Sequence, residues 1–187
     1  MLIASVKKIA EKYHNDVLRI SHKIAEEHHE GICSSLLMIE LPGALASSTT
    51  MPFEKIYEVE VSVIENFRVA VMPYEAYVKR AVELMLEFRN LKARYEIGSA
   101  DFHYLATSVQ EGCEFFVTTD EKHLLRPSCR DALSRHVEVL APDEAFVETL
   151  DKREAYRYTG KPVSQTTGLY CDFSRLSQSL QITGLPL

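Results

Sequence analysis

No run of about 18 uncharged apolar residues occurs anywhere in the 187-residue chain, so a membrane-spanning helix is not expected. The opening MLIASVKKIAEKYHND turns charged at residue 7, before the apolar region of a secretory signal could form. Cysteine is sparse: Cys33, Cys113, Cys129 and Cys171 lie far apart with no CxxC pair. That spacing argues against a zinc knuckle or a disulfide framework and leaves idle thiols as the expectation. Positive charge is in deficit, with a formal net charge of −6. A protein that coats nucleic acid through bulk charge is therefore disfavoured, whereas a nuclease with a local basic rim is not. The glycine-rich signatures of dinucleotide and P-loop binding are absent, as is the GxSxG of serine hydrolases. The cluster EEHHE at 26–30 lacks HExxH spacing and reads as a polar helix end. What remains is a soluble, cytoplasmic protein with no membrane contact.

With 46% hydrophobic residues the chain can bury one core, and it is too short for two domains of ordinary size. The pattern predicts one domain over 1–150 and a polar tail over 151–187, where Ser, Thr and Gly replace apolar periodicity. Two helices are expected before Gly31, the second starting at Asn15-Asp16 with Val17, Ile20 and Ile24 on one face. A strand from Ile32 then runs into a helix capped by Ser35, which Pro42 kinks or ends. The segment PFEKIYEVEVSVIENF suits helix or strand and is read as helix. FRVAVMP reads as a strand, and Tyr77, Ala81, Leu84, Phe88 and Leu91 form the stripe of one long helix. Another helix opens at Gly98-Ser99 with Ser99 as its cap, followed by EFFVTT and VEVLA as short strands and PDEAFVETL as a helix. Strands alternating with helices predict an α/β fold with a mostly parallel central sheet flanked by helices.

In such sheets ligands bind beyond the carboxyl ends of the strands. Three acids fall there: Glu40 after the strand from Ile32, Asp101 in the first turn of a helix, and Asp120 directly after FFVTT. Ionised carboxylates brought within a few ångströms repel one another unless a cation sits among them. Ligation by oxygen alone favours hard ions, Mg²⁺ or Mn²⁺, which lower the pKa of a bound water and stabilise charge on a phosphodiester oxygen. Singly, each acid reads more simply as a helix-start, turn or surface residue.

The segments SSLLMIELPGAL, SADFHYLATSVQEGCEFFVTTDEKHLL and VEVLAPDEAF resemble the corresponding parts of PIN-domain proteins, the metal-dependent ribonuclease fold that includes the VapC toxins. The resemblance covers about residues 1–150 and implies a three-layer α/β/α architecture. By motif, it assigns Glu40, Asp101 and Asp120 to Mg²⁺ or Mn²⁺ binding and catalysis. Thr118 and Thr119 match hydroxyl positions beside the last acid, and Lys122 and Arg126 are candidate phosphate contacts. The resemblance further implies an RNA substrate, a homodimer and an antitoxin partner. One departure is at the front, where the family carries an Asp at the end of its first strand. In one alignment that Asp precedes Met1; in the other Ile3 occupies its place. Loss of one carboxylate weakens an ion site, so the alternative expectation is a catalytically degenerate PIN fold that binds RNA or protein.

Overall fold

A computed structural model of the chain describes residues 12–26 and 29–148. The chain divides into Met1–Leu150 and Asp151–Leu187, and all described residues belong to the first unit. The expected first helix, the front of the PIN-like pattern and the tail over 151–187 lie outside the described residues.

Helix α1 (His14–Ala25) buries the predicted stripe of Val17, Ile20 and Ile24. Asp16 lies in its first turn and makes no side-chain cap; its carboxylate faces Arg19 at 3.6 Å. The helix ends at Ala25 rather than at Gly31. Gly31 serves a different purpose, because a Cβ there would meet Ile24 at 2.8 Å, so glycine lets the chain pass close beneath α1 into strand β1 (Ile32–Ser34).

Helix α2 (Leu37–Ser48) starts two residues beyond the predicted cap. Ser35 is diverted to accept a hydrogen bond from the backbone N–H of Tyr74 at 2.9 Å. Pro42 sits within α2 without ending it. The ambiguous segment is helical, as α3 (Phe53–Asn66), and its Ile56 and Val63 pack with Leu37, Leu41 and Leu45 of α2. After β2 (Ala70–Met72) and a 3₁₀ turn at Tyr74–Tyr77, the predicted long helix is broken into α4 (Val78–Glu87) and α5 (Arg89–Tyr95). The break falls at Phe88, whose backbone leaves the helical region at φ −101° and ψ 24° while its ring stays buried. The chain then forms α6 (Ser99–Gln110), β3 (Phe115–Val117), α7 (Pro127–Leu133), β4 (Glu138–Leu140) and α8 (Pro142–Glu148).

Pairing is parallel throughout the described strands. β1 runs beside β2 with Cys33 opposite Val71, and β3 beside β4 with Phe116 opposite Val139. The fold is mixed α/β and mostly helical. In place of one continuous central sheet, the described residues form two separate two-stranded ribbons. The main core joins α4 and α6 through Ala81, Leu84, Phe102 and Leu105, with Leu124, Cys129 and Val139 from the second ribbon's side. At about 1.5–3 kcal/mol for each fully buried large apolar side chain, this helix pair is the main stabiliser of the unit. Helix α6 also packs against β1 and β3, so a residue in its first turn lies close to both ribbons. Among the described residues no helix is long and apolar enough to cross a membrane.

Candidate functional site

The N-cap of helix α6 is Gly98, not the predicted Ser99. A glycine N-cap has no side chain to offer, so only the reverse half of a capping box exists: the Asp101 carboxylate accepts the Gly98 N–H at 3.0 Å. A Cβ at Gly98 would lie 3.0 Å from that same carboxylate oxygen, so the absence of a side chain lets Asp101 fold back over the helix start.

Asp101 is half-buried, and its carboxyl is pushed above its ordinary value. Burial is the main cause, and the charges of Asp120 and Glu40 add to it, against the lowering effect of the Gly98 bond and of His123. These mutual influences, and their shared lining of a single cavity of about 880 Å³, bring together the three acids that lie far apart in sequence. Glu40 stands in the first turn of α2, after the strand from Ile32, and accepts the Tyr104 hydroxyl at 2.8 Å. Burial and this bond hold the Tyr104 phenol far above its usual range. Asp120 lies just beyond β3, after Thr118 and Thr119. Its Oδ1 accepts the backbone N–H groups of Lys122 and His123, each at 3.2 Å, and its Oδ2 lies 2.9 Å from His123 Nδ1.

The two threonines line the same cavity. Thr118 is buried, continues the ribbon by donating its N–H to Leu140 at 3.0 Å, and accepts the Asp120 N–H on Oγ1 at 3.2 Å. The predicted phosphate contacts fare differently. Lys122 and Arg126 are exposed and do not line the cavity; the Arg126 Nε donates to the Lys122 carbonyl at 2.7 Å and its guanidinium lies over the Tyr95 ring.

Three contributors escaped the sequence reading. Tyr104 lies three residues after Asp101 and so on the same helical face, a signal that was available. Ser34, fully buried at the end of β1, shares a bond of 3.1 Å with His103 Nδ1 and accepts the Leu36 N–H at 3.2 Å. His103 Nε2 donates to the Tyr74 carbonyl at 2.9 Å, and the two rings stack at 4.3 Å. His103 is thus a buried clamp between β1 and the turn after β2.

The donor set matches Mg²⁺ or Mn²⁺ in kind, since its acids offer only oxygen. As arranged, no group of three His, Cys, Asp or Glu side chains among the described residues could hold a metal ion; each of the three acids is engaged by a protein donor. No family model matches the chain, and neither does any curated protein or solved structure.

Proposed function

We propose that the chain is a metal-dependent ribonuclease of the PIN kind, acting on RNA phosphodiester bonds. The observation that carries this reading is the convergence of Glu40, Asp101 and Asp120 from three elements onto one cavity, close enough for Glu40 and Asp120 to disfavour ionisation of Asp101. A cluster of acids whose charges work against one another suits a site that takes up a cation. Glu40, Asp101 and Asp120 would hold Mg²⁺ or Mn²⁺, which when bound lowers the pKa of water and offsets phosphodiester charge. The chain's own contributions are positional. Tyr104 orients Glu40, the Gly98 N–H orients Asp101, and His123 with two backbone amides orients Asp120. Thr118 and Thr119 offer hydroxyls at the rim. A homodimer is part of the proposal, and Val78, Val82 and Leu86, exposed at four-residue spacing along α4, give it an apolar stripe; an antitoxin covering the acidic cavity completes it.

Asp101→Asn combined with Asp120→Asn is expected to abolish Mn²⁺-stimulated cleavage of single-stranded RNA, a loss of several orders of magnitude, while circular dichroism shows the fold unchanged. Equal cleavage by parent and double variant would sink the assignment. A second reading, a PIN-like fold that binds RNA or protein without cutting, is favoured by one observation: among the described residues no three acids form an ion-holding group. Under that reading Mn²⁺ leaves the melting temperature of the parent unchanged, whereas binding to the folded state raises it.

A further inference from the structure

In a chain with 27 acids against 21 basic residues, a described cation commonly meets a carboxylate, as Lys12, Arg19, Lys55, Arg80, Arg130 and Arg135 do. The segments RNLKARY (89–95) and KHLLRPSC (122–129) differ. They contain no acid, and their formal charges are those of Arg89, Lys92, Arg94, Lys122 and Arg126. The fold joins these two segments at Tyr95, whose hydroxyl shares a bond of 2.6 Å with Ser128 Oγ. The Arg94 guanidinium lies over the Tyr95 ring at 5.4 Å and that of Arg126 at 5.9 Å. Both distances fall within cation–π range, and at most about 11 Å separates the two charges. Both arginines are exposed, and among the described residues neither forms an ion pair. Arg126 is fixed further by the bond from its Nε to the Lys122 carbonyl at 2.7 Å. Two guanidiniums held close together with no carboxylate repel one another until an anion joins them.

Two short bonded paths lead from this pair to the acids. Arg126 holds the Lys122 carbonyl, and the Lys122 N–H donates to Asp120 Oδ1 at 3.2 Å. On the other path, Lys92 Nζ donates to the Ile97 carbonyl at 3.0 Å, one residue before the Gly98 N–H that holds Asp101. Neither arginine lines the cavity, so the pair adjoins the acids from outside. We propose that Arg94 and Arg126, aligned by the Tyr95 ring, form a phosphate clamp for a single strand of RNA, gripping its backbone beside the acidic cavity. The identity of the polyanion rests on the ribonuclease reading; the clamp rests on the geometry of the three side chains. A net charge of −6 cannot draw RNA in bulk, and carboxylates repel phosphate, so a local grip supplies what the acids alone lack. Arginine suits the task, because its planar fork meets two phosphate oxygens at once. Tyr95 is a positioning residue: by holding both forks in place it lowers the ordering cost of binding.

Fluorescence anisotropy of a labelled single-stranded oligouridylate, titrated with the full chain over a series of salt concentrations, tests this. EDTA in the buffer prevents cleavage during the measurement. Each phosphate contact to a single strand contributes about 0.7 to the slope of log affinity against log salt. Arg94→Gln combined with Arg126→Gln is expected to lower that slope by about 1.4 and to weaken binding at low salt at least about tenfold. Lys55→Gln, on α3, leaves both at their parental values. Tyr95→Leu removes the ring and is expected to weaken binding about fivefold, whereas Tyr95→Phe keeps the ring and the parental affinity. A purely structural role for these side chains would move the melting temperature and leave the salt slope alone. Equal slopes in the parent and the double arginine variant overturn the proposal, as does a parent that binds heparin but not the RNA, or neither. Equal affinities of the Leu and Phe variants remove Tyr95 from the clamp. The ribonuclease reading fails on a different result, Mn²⁺-stimulated cleavage that survives Asp101→Asn with Asp120→Asn, whatever the salt slopes.

Discussion

The two ribbons end in opposite ways. At the carboxyl end of β1 the chain enters the core: Ser34 is fully buried and locked through His103 to the Tyr74 carbonyl, and the nearby acid, Glu40, projects from an ordered helix. At the carboxyl end of β3 the chain emerges as a turn, and Asp120 is positioned by local bonds to residues two and three positions on. The first acid is therefore held by tertiary packing and the second by its own loop. Asp101, on the helix that packs against both strands, lies between the two regimes. The cavity thus has one wall fixed by tertiary packing and one held by local hydrogen bonds.

The comparison is tested most severely at the fixed wall. His103→Ala should cost about 2–4 kcal/mol, because it leaves a void in the core and strips Ser34 and the Tyr74 carbonyl of a buried partner. Urea unfolding with an unchanged m-value would measure it. On the locally held wall, Thr118→Ala removes the acceptor of the Asp120 N–H together with a buried methyl and is expected to cost about 1.5 kcal/mol. If the two losses proved equal, the contrast between packed and local support would fail. His123→Ala should cost still less, about 0.5 kcal/mol or under, since its pairing with Asp120 is partly exposed and screened by water; thermal denaturation at low and high salt would resolve it.

The same contrast decides what could be read in the sequence. Features governed by local chemistry were legible: the apolar stripe of α1, the short apolar run of β3, and Asp101 and Asp120 beside strand or helix ends. Features set by tertiary packing were not. Ser35 was expected to cap a helix, yet Tyr74, distant in sequence, captured its hydroxyl. Nothing in the sequence around His103 announces the buried Ser34 that it meets. The single long helix over Tyr77 to Leu91 had an unbroken stripe, and periodicity alone carries no sign of a break that keeps Phe88 buried. Lys122 and Arg126 illustrate a different limit, since proximity in sequence to Asp120 gives no direction once the chain turns.

The smallest effect concerns Asp101 and has a sign that can be worked out. Its carboxyl is raised in the folded state by burial first and by Asp120 and Glu40 next, so between its ordinary value of 3.8 and the raised folded value the native chain holds a proton that the unfolded chain releases. Stability contributed by this group is thus fully present below the ordinary value, falls as pH rises through that window, and stays at its lower level above it. Asp101→Asn keeps an oxygen acceptor for the Gly98 N–H but cannot ionise. The variant should therefore gain stability relative to the parent as pH rises through the window, and the difference should be flat from there to neutrality, whatever constant offset the substitution adds. A difference that shrank with rising pH would mean that the Gly98 bond outweighs burial and the neighbouring acids. The convergence of the three acids would then impose no electrostatic cost for a cation to relieve. Repeating the titration with Mn²⁺ sharpens the point: an ion shared by these acids should stabilise the parent chiefly above the window, where Asp101 is ionised, and leave the Asn variant less affected.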